Sequence, residues 1–428
     1  MTALLFILLF LVLMAVGIPV AFAMIATTSV YFLVTGQPSE LFVQRFVSGL
    51  ESFPLLAIPF FTLAGVVMAR SGIAERLIDF ADSLVGHWRG GLAQVNVLNS
   101  IGIGGMSGSG SADAAIDSKI LVPQMMKRGY PLPFSAAVTA TSGIMSAIIP
   151  PSIVLILYGL QSGVSVGRLF VAGLVPALLM ALALSVAVFL IARAKGYQPG
   201  TRRAAYFAGV WKSFKHAFWS LMMPVLLLVG LRVGVFTPTE LGAIAAVYTL
   251  VIALFVYRTL DLRGLLEVLR EAATTTATIM IILAAAAAFG YFITVERLPN
   301  QVLALISGIS ENPAVMIAVL LLALLIIGMV METSSLIIIA TPILAPIAVS
   351  IGMDPVQFGV VIVMALAIGG TTPPVGSVLY TVMSITGVKL GALSKAQLPF
   401  LVALIVALAL TAAIPAISLF LPAVFYGS

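Results

Sequence analysis

The sequence predicts an all-α polytopic membrane protein, an inverted-topology repeat with two re-entrant helical hairpins and two broken transmembrane helices. Its 428 residues are 61% apolar and only 8% charged, whereas globular proteins carry about 25% charged residues. Apolar runs of about 18 residues or more, each long enough to cross a bilayer as a helix, recur along the whole chain. A third observation is that one spacing of prolines and glycines occurs in both halves of the chain.

Helices are the expected secondary structure, because a bilayer core offers no water to satisfy exposed backbone groups and the alternating strands of a barrel are absent. The N-terminal run, 3–34, has no charged leader and is interpreted as a retained span that is tilted or broken at Gly17-Ile18-Pro19. The predicted spans are 3–34, 52–70, 133–160, 171–193, 218–236, 239–258, 273–293, 355–386 and 399–422.

Two further apolar stretches, 91–127 and 313–351, carry a short polar cluster at their centres. Each half has about 15–18 residues, which is short for a crossing that needs about 20. A hairpin that enters and leaves on one side of the membrane fits these lengths better than two crossings. We therefore predict one re-entrant hairpin in each half.

Charge predicts the orientation. If the N-terminus is cytoplasmic and the two hairpins do not cross, the cytoplasmic loops contain most of the 21 lysine and arginine residues, as the positive-inside rule requires. The C-terminus is then periplasmic, and the cationic segment 193–217 is a cytoplasmic linker between the two halves.

The halves repeat at an offset of 223 residues. The matched positions are Pro123 with Pro346, Gly129 with Gly352, Pro150-Pro151 with Pro373-Pro374, and Pro176 with Pro399. An odd number of spans before the second copy turns it upside down, so the hairpins open to opposite sides. Inverted repeats of this kind are typical of secondary transporters.

The centres of the hairpins are the strongest candidates for a binding site. We name them tip 1 (107–111, SGSGS) and tip 2 (332–335, ETSS), and we name the proline-broken segments break 1 (148–152) and break 2 (369–376). Glycine frees the backbone, proline removes a donor, and hydroxyl and carbonyl oxygens suit a dehydrated cation. Two cation sites with a substrate site between them are predicted, and close helix packing by small residues is the alternative.

The helices that start after the tips, near Ala112 and Leu336, point their amides inward and favour an anion such as a carboxylate. Asp113 and Glu332 are candidates for ion or proton coupling, or for a structural hydrogen bond, because ionisable groups inside a membrane are functional candidates. Asp117 is interpreted as structural.

Other classes of protein are excluded or disfavoured. The absence of cysteine excludes disulfides, thiol catalysis and thiolate metal sites. The two histidines, His87 and His216, lie in charged loops, and no GxxxxGK[ST] motif for ATP is present. We expect no enzyme activity, no cofactor and no nucleic-acid partner.

Several motifs in order resemble the large membrane subunit of TRAP (tripartite ATP-independent periplasmic) transporters over essentially the whole chain. They are SFPLLAIPFFTLAG at 52–65, SGIAERL at 71–77, GSGSADAA at 108–115, PPSIVLILYG at 150–159, GVFTPTE at 234–240 and TPPVG at 372–376. The resemblance implies a sodium-coupled elevator-type importer of organic acids in the bacterial inner membrane, with a fold like that of the ion-transporter superfamily. It also implies a separate small four-helix membrane subunit and a periplasmic substrate-binding protein as partners, besides membrane lipids.

The resemblance also implies site residues. The first sodium site falls at Ser107, Gly108, Ser109, Ser111, Ile149, Pro150 and Ser152. The second falls at Thr333, Ser334, Ser335, Gly370, Thr371 and Thr372. The substrate site is predicted at Ser109, Gly110, Ser111, Ser334, Ser335, Thr372 and Pro373.

With these roles the chain divides into scaffold and transport parts. The segments are scaffold helices at 1–90, a first transport half at 91–160, scaffold helices and the linker at 161–312, a second transport half at 313–386, and a C-terminal scaffold helix at 387–428. A C4-dicarboxylate and a sugar acid such as sialic acid are both compatible substrates. The alternative function is a proton-coupled or stand-alone transporter of organic anions.

Overall fold

The computed structural model describes residues 2–197, 203–233 and 236–427, without the side chains of residues 2, 3, 105–107, 203–208, 232 and 233. Within these ranges every regular element is a helix. The first half contains α1 (Thr2–Ala15), α2 (Val20–Thr35), α3 (Ser39–Ser48), α4 (Ala57–Arg70), α5 (Ile73–Val85), α6 (Gly91–Ser107), α7 (Gly110–Lys127), α8 (Leu132–Gly143), α9 (Ile153–Ser162) and α10 (Val166–Lys195). The second half contains α11 (Arg203–Val233), α12 (Pro238–Val251), α13 (Leu262–Val295), α14 (Leu298–Ser307), α15 (Pro313–Gly328), α16 (Thr333–Ser350), α17 (Pro355–Gly369), α18 (Ser377–Thr386), α19 (Leu390–Ala413) and α20 (Pro415–Tyr426).

Seven helices in the described ranges are long and apolar enough to cross a membrane. Five of them overlap predicted spans 52–70, 171–193, 218–236, 239–258 and 273–293, although the helices at 209–231 and 262–295 begin nine and eleven residues before the predicted spans. A sixth, α19, begins nine residues before the predicted span 399–422 and ends at Ala413. Ile414 then leaves the helical conformation and α20 follows as a separate short helix. The seventh, α16, is one arm of the second predicted hairpin.

The predicted repeat is present in the helix bounds. Adding 223 to 110–127, the bounds of α7, gives 333–350, the bounds of α16. The packing repeats as well, because α7 contacts α18 while α9 contacts α16. At the same offset, α1 corresponds in sequence to the last part of α11, and α2 corresponds to α12. The repeat therefore begins at the first helix of the chain.

Hairpin 1 consists of α6 and α7, and both of its outer ends lie beside the last turns of α10. The ring of Tyr130, after α7, lies 5.1 Å from that of Tyr197. A Cβ on Gly90, before α6, would touch Val188 of α10. Hairpin 1 therefore enters and leaves at one end of the molecule, as predicted.

Hairpin 2 consists of α15 and α16 and opens at the opposite end. Pro313, where α15 begins, and Gly352, after α16, line one cavity. The adjoining α17 begins near α9, where the Tyr158 hydroxyl donates to the Pro355 carbonyl at 2.7 Å. A Cβ on Gly359 of α17 would touch Leu169, near the first residue of α10. Hairpins at the two ends of α10 confirm the inverted topology.

The predicted N-terminal span 3–34 is broken at Gly17-Ile18-Pro19, as one of the two stated alternatives, but it is not a single crossing. A continuous helix would separate Phe6 from Tyr31 by roughly 37 Å along its axis, yet their ring centroids are 5.1 Å apart. The break at Gly17, whose φ is +92°, therefore reverses the chain, and α1 and α2 form an antiparallel pair. Both Phe6 and Tyr31 also contact Phe292 of α13.

The fold-back moves the N-terminus to the other end of the molecule. Arg70 pairs with Glu267 and Glu271 at 2.7 Å, near the start of α13. Phe292, which contacts Phe6, is roughly 32 Å further along that helix than Glu271. The N-terminus and the basic loop at Arg70 therefore lie at opposite ends, and the prediction that places both in the cytoplasm is wrong.

The central linker is mostly helical. Of the predicted linker 193–217, the first residues belong to α10 and those from Arg203 onward belong to α11. Similarly, α13 is continuous from Leu262 to Val295 and begins eleven residues before the predicted span 273–293.

Candidate ion and substrate site

Tip 1 is held by backbone contact with break 1. Gly108 has φ +62°, a left-handed conformation that glycine adopts at little cost. A Cβ at this position would lie 2.7 Å from the Pro151 carbonyl oxygen. Ser109 is extended and precedes the first turn of α7, and its hydroxyl lies 3.3 Å from that of Ser111. The side chain of Ser107 lies outside the described residues.

Break 1 joins α8 to α9 through a 3-10 turn at Ile144–Ala147 and the Pro150-Pro151 pair. The Ser152 hydroxyl donates to the Ala147 carbonyl at 2.5 Å and accepts the Leu155 amide at 3.1 Å, so it caps α9. Ile149 is buried beside it. The described residues of the predicted first sodium site therefore lie close together. The Ser152 hydroxyl of this site also makes hydrogen bonds to the backbone.

Tip 2 begins after an equally close backbone contact. A Cβ on Gly328 would lie 2.8 Å from the Leu366 carbonyl oxygen of α17, and the Gly376 amide donates to Met329 at 2.7 Å. Thr333 and Ser335 are buried, while Ser334 is half-buried.

Glu332 has a defined structural role at tip 2. Its carboxylate accepts the amides of Ser334 and Ser335 at 2.8 and 3.2 Å and the Ser334 hydroxyl at 3.0 Å. These bonds cap α16 at its N-terminus, where a negative charge is stabilised by the helix dipole. The structural alternative stated for Glu332 therefore has direct support, and the first turn of α16 already has an anion.

Break 2 carries the two threonines of the second predicted sodium site. The hydroxyls of Thr371 and Thr372 both donate to the Ile368 carbonyl, at 2.9 and 2.8 Å. The Thr371 carbonyl accepts the Gln397 side chain of α19 at 2.6 Å. A hydroxyl that donates its proton keeps lone pairs for another donor or a cation.

The two tips meet at one small cavity. Its polar lining combines Ser109, Gly110 and Ser111 of tip 1 with Glu332, Thr333 and Ser334 of tip 2 and with Ser377. Four predicted substrate residues, Ser109, Gly110, Ser111 and Ser334, therefore line the same space. Ser335, Thr372 and Pro373 do not line it.

Ser377 was missed by the sequence analysis, although it is the first residue of α18. The sequence feature that could have identified Ser377 is its position directly after Gly376, because the first residue of a helix lies close to the break that precedes it. The second helix half of break 2 therefore contributes a hydroxyl to the cavity.

The acidic residues of hairpin 1 lie inside the protein. Asp113 and Asp117 are completely buried on α7, whereas Lys119 is exposed. Asp117 accepts the side-chain amide of Asn99 on α6 at 2.8 Å. This bond joins the two arms of the hairpin, which agrees with a structural role for Asp117.

An inverted helical repeat whose two hairpin tips face one internal cavity defines a membrane permease of the secondary-transporter type. Residues 7–417 match the family described as "Tripartite ATP-independent periplasmic transporter, DctM component". The chain therefore belongs to the DctM family of TRAP transporter membrane components, as the motifs indicated.

Relatives and a solved structure agree with this membership. The chain is 38% identical over 414 residues to the sialic acid TRAP transporter large permease protein of Vibrio cholerae, covering 96% of both chains. It is 40% identical over 372 residues to the C4-dicarboxylate TRAP transporter large permease protein of Pseudomonas aeruginosa, covering 87% of both. The crystal structure of the Alcanivorax borkumensis YdaH transporter shares the fold, with a TM-score of 0.56, 12% identity, and 87% and 86% of the two chains covered.

Proposed function

We propose that this chain is the large permease subunit of a Na⁺-coupled importer of a small organic anion in the bacterial inner membrane. The single observation that carries the proposal is the cavity at which the two hydroxyl-bearing tips meet. In each half, a hairpin tip contacts a proline break through backbone atoms, so that oxygen ligands are concentrated at two related positions.

The substrate class follows from the lining of the cavity and from the relatives. Sialic acid and C4-dicarboxylates, named in two relatives, all carry a carboxylate. No lysine or arginine is among the described residues that line the cavity. Backbone amides at the start of α7 and the serine hydroxyls would therefore bind the anion.

The position of Glu332 makes the two tips unequal toward this anion. The first amides of α16 are already bonded to Glu332. A substrate carboxylate is therefore best accommodated at tip 1, and donors elsewhere on the substrate would face tip 2.

Sodium is the coupling ion that the breaks support best. Thr371, Thr372 and Ser152 place neutral hydroxyl oxygens next to proline-freed backbone, without a cluster of acidic side chains among the described residues. Neutral oxygens suit a monovalent cation, whereas a proton requires a titrating group.

An elevator movement is supported by the way the halves pack. The hairpins and broken helices contact each other across the repeat, α7 with α18 and α9 with α16, so they can move as one body. The helices α2, α4, α12 and α13 pack on one another and would form the scaffold.

Membership in the tripartite family supports two further partners, a small four-helix membrane subunit and a periplasmic substrate-binding protein. Leu4, Leu5 and Leu8 of α1 are more than half exposed. This apolar face would contact lipid or the small subunit.

The test is uptake by proteoliposomes that contain this chain, its small subunit and its binding protein. Labelled sialic acid and succinate should accumulate only with an inward Na⁺ gradient and without ATP. Replacing Na⁺ by K⁺ or choline at constant pH should abolish uptake. Unchanged uptake in K⁺, together with dependence on a pH gradient, would favour the proton-coupled alternative. Uptake without the binding protein would indicate a stand-alone transporter.

A further inference from the structure

A second polar cluster lies inside hairpin 1. It is formed by Asn99 and Ser100 of α6 and Asp117 of α7, with exposed fractions of 1%, 0% and 0%. The Asn99 Nδ2 donates to Asp117 Oδ1 at 2.8 Å, and Ser100 Oγ lies 3.4 Å from Asp117 Oδ2. None of the three residues is among those that line the cavity between the tips.

This cluster has fewer hydrogen-bond donors than its oxygen acceptors require. Ser100 has one hydroxyl proton, yet its oxygen lies 3.1 Å from the Asn96 carbonyl as well as 3.4 Å from Asp117 Oδ2. Asn99 Oδ1 is buried and has no hydrogen-bond partner among the described residues. Buried polar atoms are normally paired, and each exception requires an explanation.

The cluster also contains a buried carboxyl group without a basic partner. In the described part of the chain no lysine, arginine or histidine forms an ion pair with Asp117. Asp113, a second completely buried carboxyl group, is one helical turn away on the same face. Because an ionised carboxylate buried without a partner is strongly destabilising, the ionised form of Asp117 requires a positive charge here.

We propose that Asp117, Asn99 and Ser100 bind a Na⁺ ion between the arms of hairpin 1, separately from the two tips. The ligands are Asp117 Oδ2, Asn99 Oδ1 and Ser100 Oγ. A distance of 3.4 Å between Asp117 and Ser100 is long for a hydrogen bond to a carboxylate, which is about 2.5–2.7 Å. The separation of 3.4 Å is the one expected for two oxygens that bind the same ion at right angles, each about 2.4 Å from it. Ca²⁺, whose radius is similar to that of Na⁺, typically lies at this distance from its oxygen ligands.

The choice of Na⁺ rests on the proposed function, which makes it the ion that the protein uses. Because the ligands come from both α6 and α7, the bound ion would hold the two arms together. Binding should therefore be visible in stability as well as in ion content.

The experiment counts Na⁺ bound to the purified full chain in detergent, by equilibrium dialysis with ²²Na⁺, and measures melting against Na⁺ concentration. Asp117→Asn should bind one ion fewer than the unmodified chain. Ser100→Ala removes one ligand and should raise the half-saturating Na⁺ concentration of this site about tenfold. Asp79→Asn, which removes an exposed carboxylate on α5, is the matched control and should change neither value.

An unchanged ion count in Asp117→Asn would overturn the proposal, and it is also the result expected if Asp117 simply carries a proton. If Asp117→Asn does not fold, Ser100→Ala decides, because unchanged affinity and count in this variant would overturn the proposal too. The proposed function fails separately, when uptake by the unmodified complex does not need Na⁺. Na⁺-dependent uptake combined with a full ion count in Asp117→Asn rejects only the internal site.

Discussion

At the scale of single residues, Thr371 and Thr372 show how the hydroxyl groups at a helix break can donate hydrogen bonds to the backbone and keep their lone pairs available. Both hydroxyls donate to the Ile368 carbonyl, which also accepts the Thr371 amide at 3.0 Å. Their oxygens retain lone pairs. The same arrangement recurs at Ser152 in the first half, where the hydroxyl donates to Ala147.

Thr372→Val should remove a cation ligand with little change in shape. The increase in melting temperature that Na⁺ produces should shrink, because an ion bound only by the folded state stabilises it by mass action. Without Na⁺ the melting temperature should change little. Thr381→Val removes a hydroxyl that donates to Ser377 in α18 and serves as the control. Equal Na⁺ responses in the two variants would contradict a sodium site at break 2.

Two substitutions distinguish a helix-capping role of Glu332 from a role in ion or proton coupling. Glu332→Ala removes three hydrogen bonds at the start of α16 and should cost about 0.5–2 kcal/mol, the usual effect of losing an N-cap. Glu332→Gln keeps an oxygen that accepts the same amides and should remain close to the unmodified protein in melting temperature and in uptake. If Glu332→Gln loses uptake as completely as Glu332→Ala, its charge matters and capping is not a sufficient explanation.

At the scale of elements, glycines allow α15 and α17 to approach closely below tip 2. A Cβ on Gly369 would lie 2.6 Å from the Leu325 carbonyl oxygen and 2.7 Å from the Cα of Gly328. Real side chains do not approach backbone this closely. The position of tip 2 relative to break 2 therefore depends on these two glycines.

Gly369→Ala should destabilise the protein by about 1–3 kcal/mol, the usual cost of overpacking, and should reduce uptake because tip 2 would be displaced. Gly391→Ala is the control, since it lies in α19 with no atom within 4 Å of an added Cβ. Thermal melting in detergent and uptake in proteoliposomes measure the two effects. A neutral Gly369→Ala would show that the two helices can separate without cost.

At the scale of the whole molecule, the inverted repeat predicts the exposure of equivalent residues on opposite sides. Lys127 and Ser350 are exposed, are related by the offset of 223, and end α7 and α16. In this cysteine-free chain, Lys127→Cys and Ser350→Cys should react with an impermeant thiol reagent from opposite faces of the membrane. Reaction of both from one face would contradict the topology.

Most of this architecture can be predicted from the sequence because length, apolar runs and proline register determine it. The bounds of α7 and α16 repeat at the offset read from the prolines. The fold-back at Gly17 could not be predicted in the same way, because the motif indicates a break and gives no direction for the next helix. That direction depends on the contacts of Phe6 and Tyr31 with Phe292.

The site was predictable to a similar extent. The tips form continuous polar clusters, so their residues were identified, and six of them line the cavity. Asn99 and Asp117 were not paired by the sequence analysis, because they lie 18 residues apart on different helices. The cap formed by Glu332 requires the side-chain rotamer, which only the structure gives.

The reversal at Gly17 has a consequence for gene fusion. The first helix starts at the end of the molecule opposite the basic loop at Arg70, so any membrane protein joined ahead of it must finish on the side of the bilayer opposite that loop. A four-helix unit crosses an even number of times and returns to the side from which it began. If that unit begins on the side of the Arg70 loop, a direct fusion would place one connection on the wrong side, and one additional crossing helix in the joining segment would restore the parity.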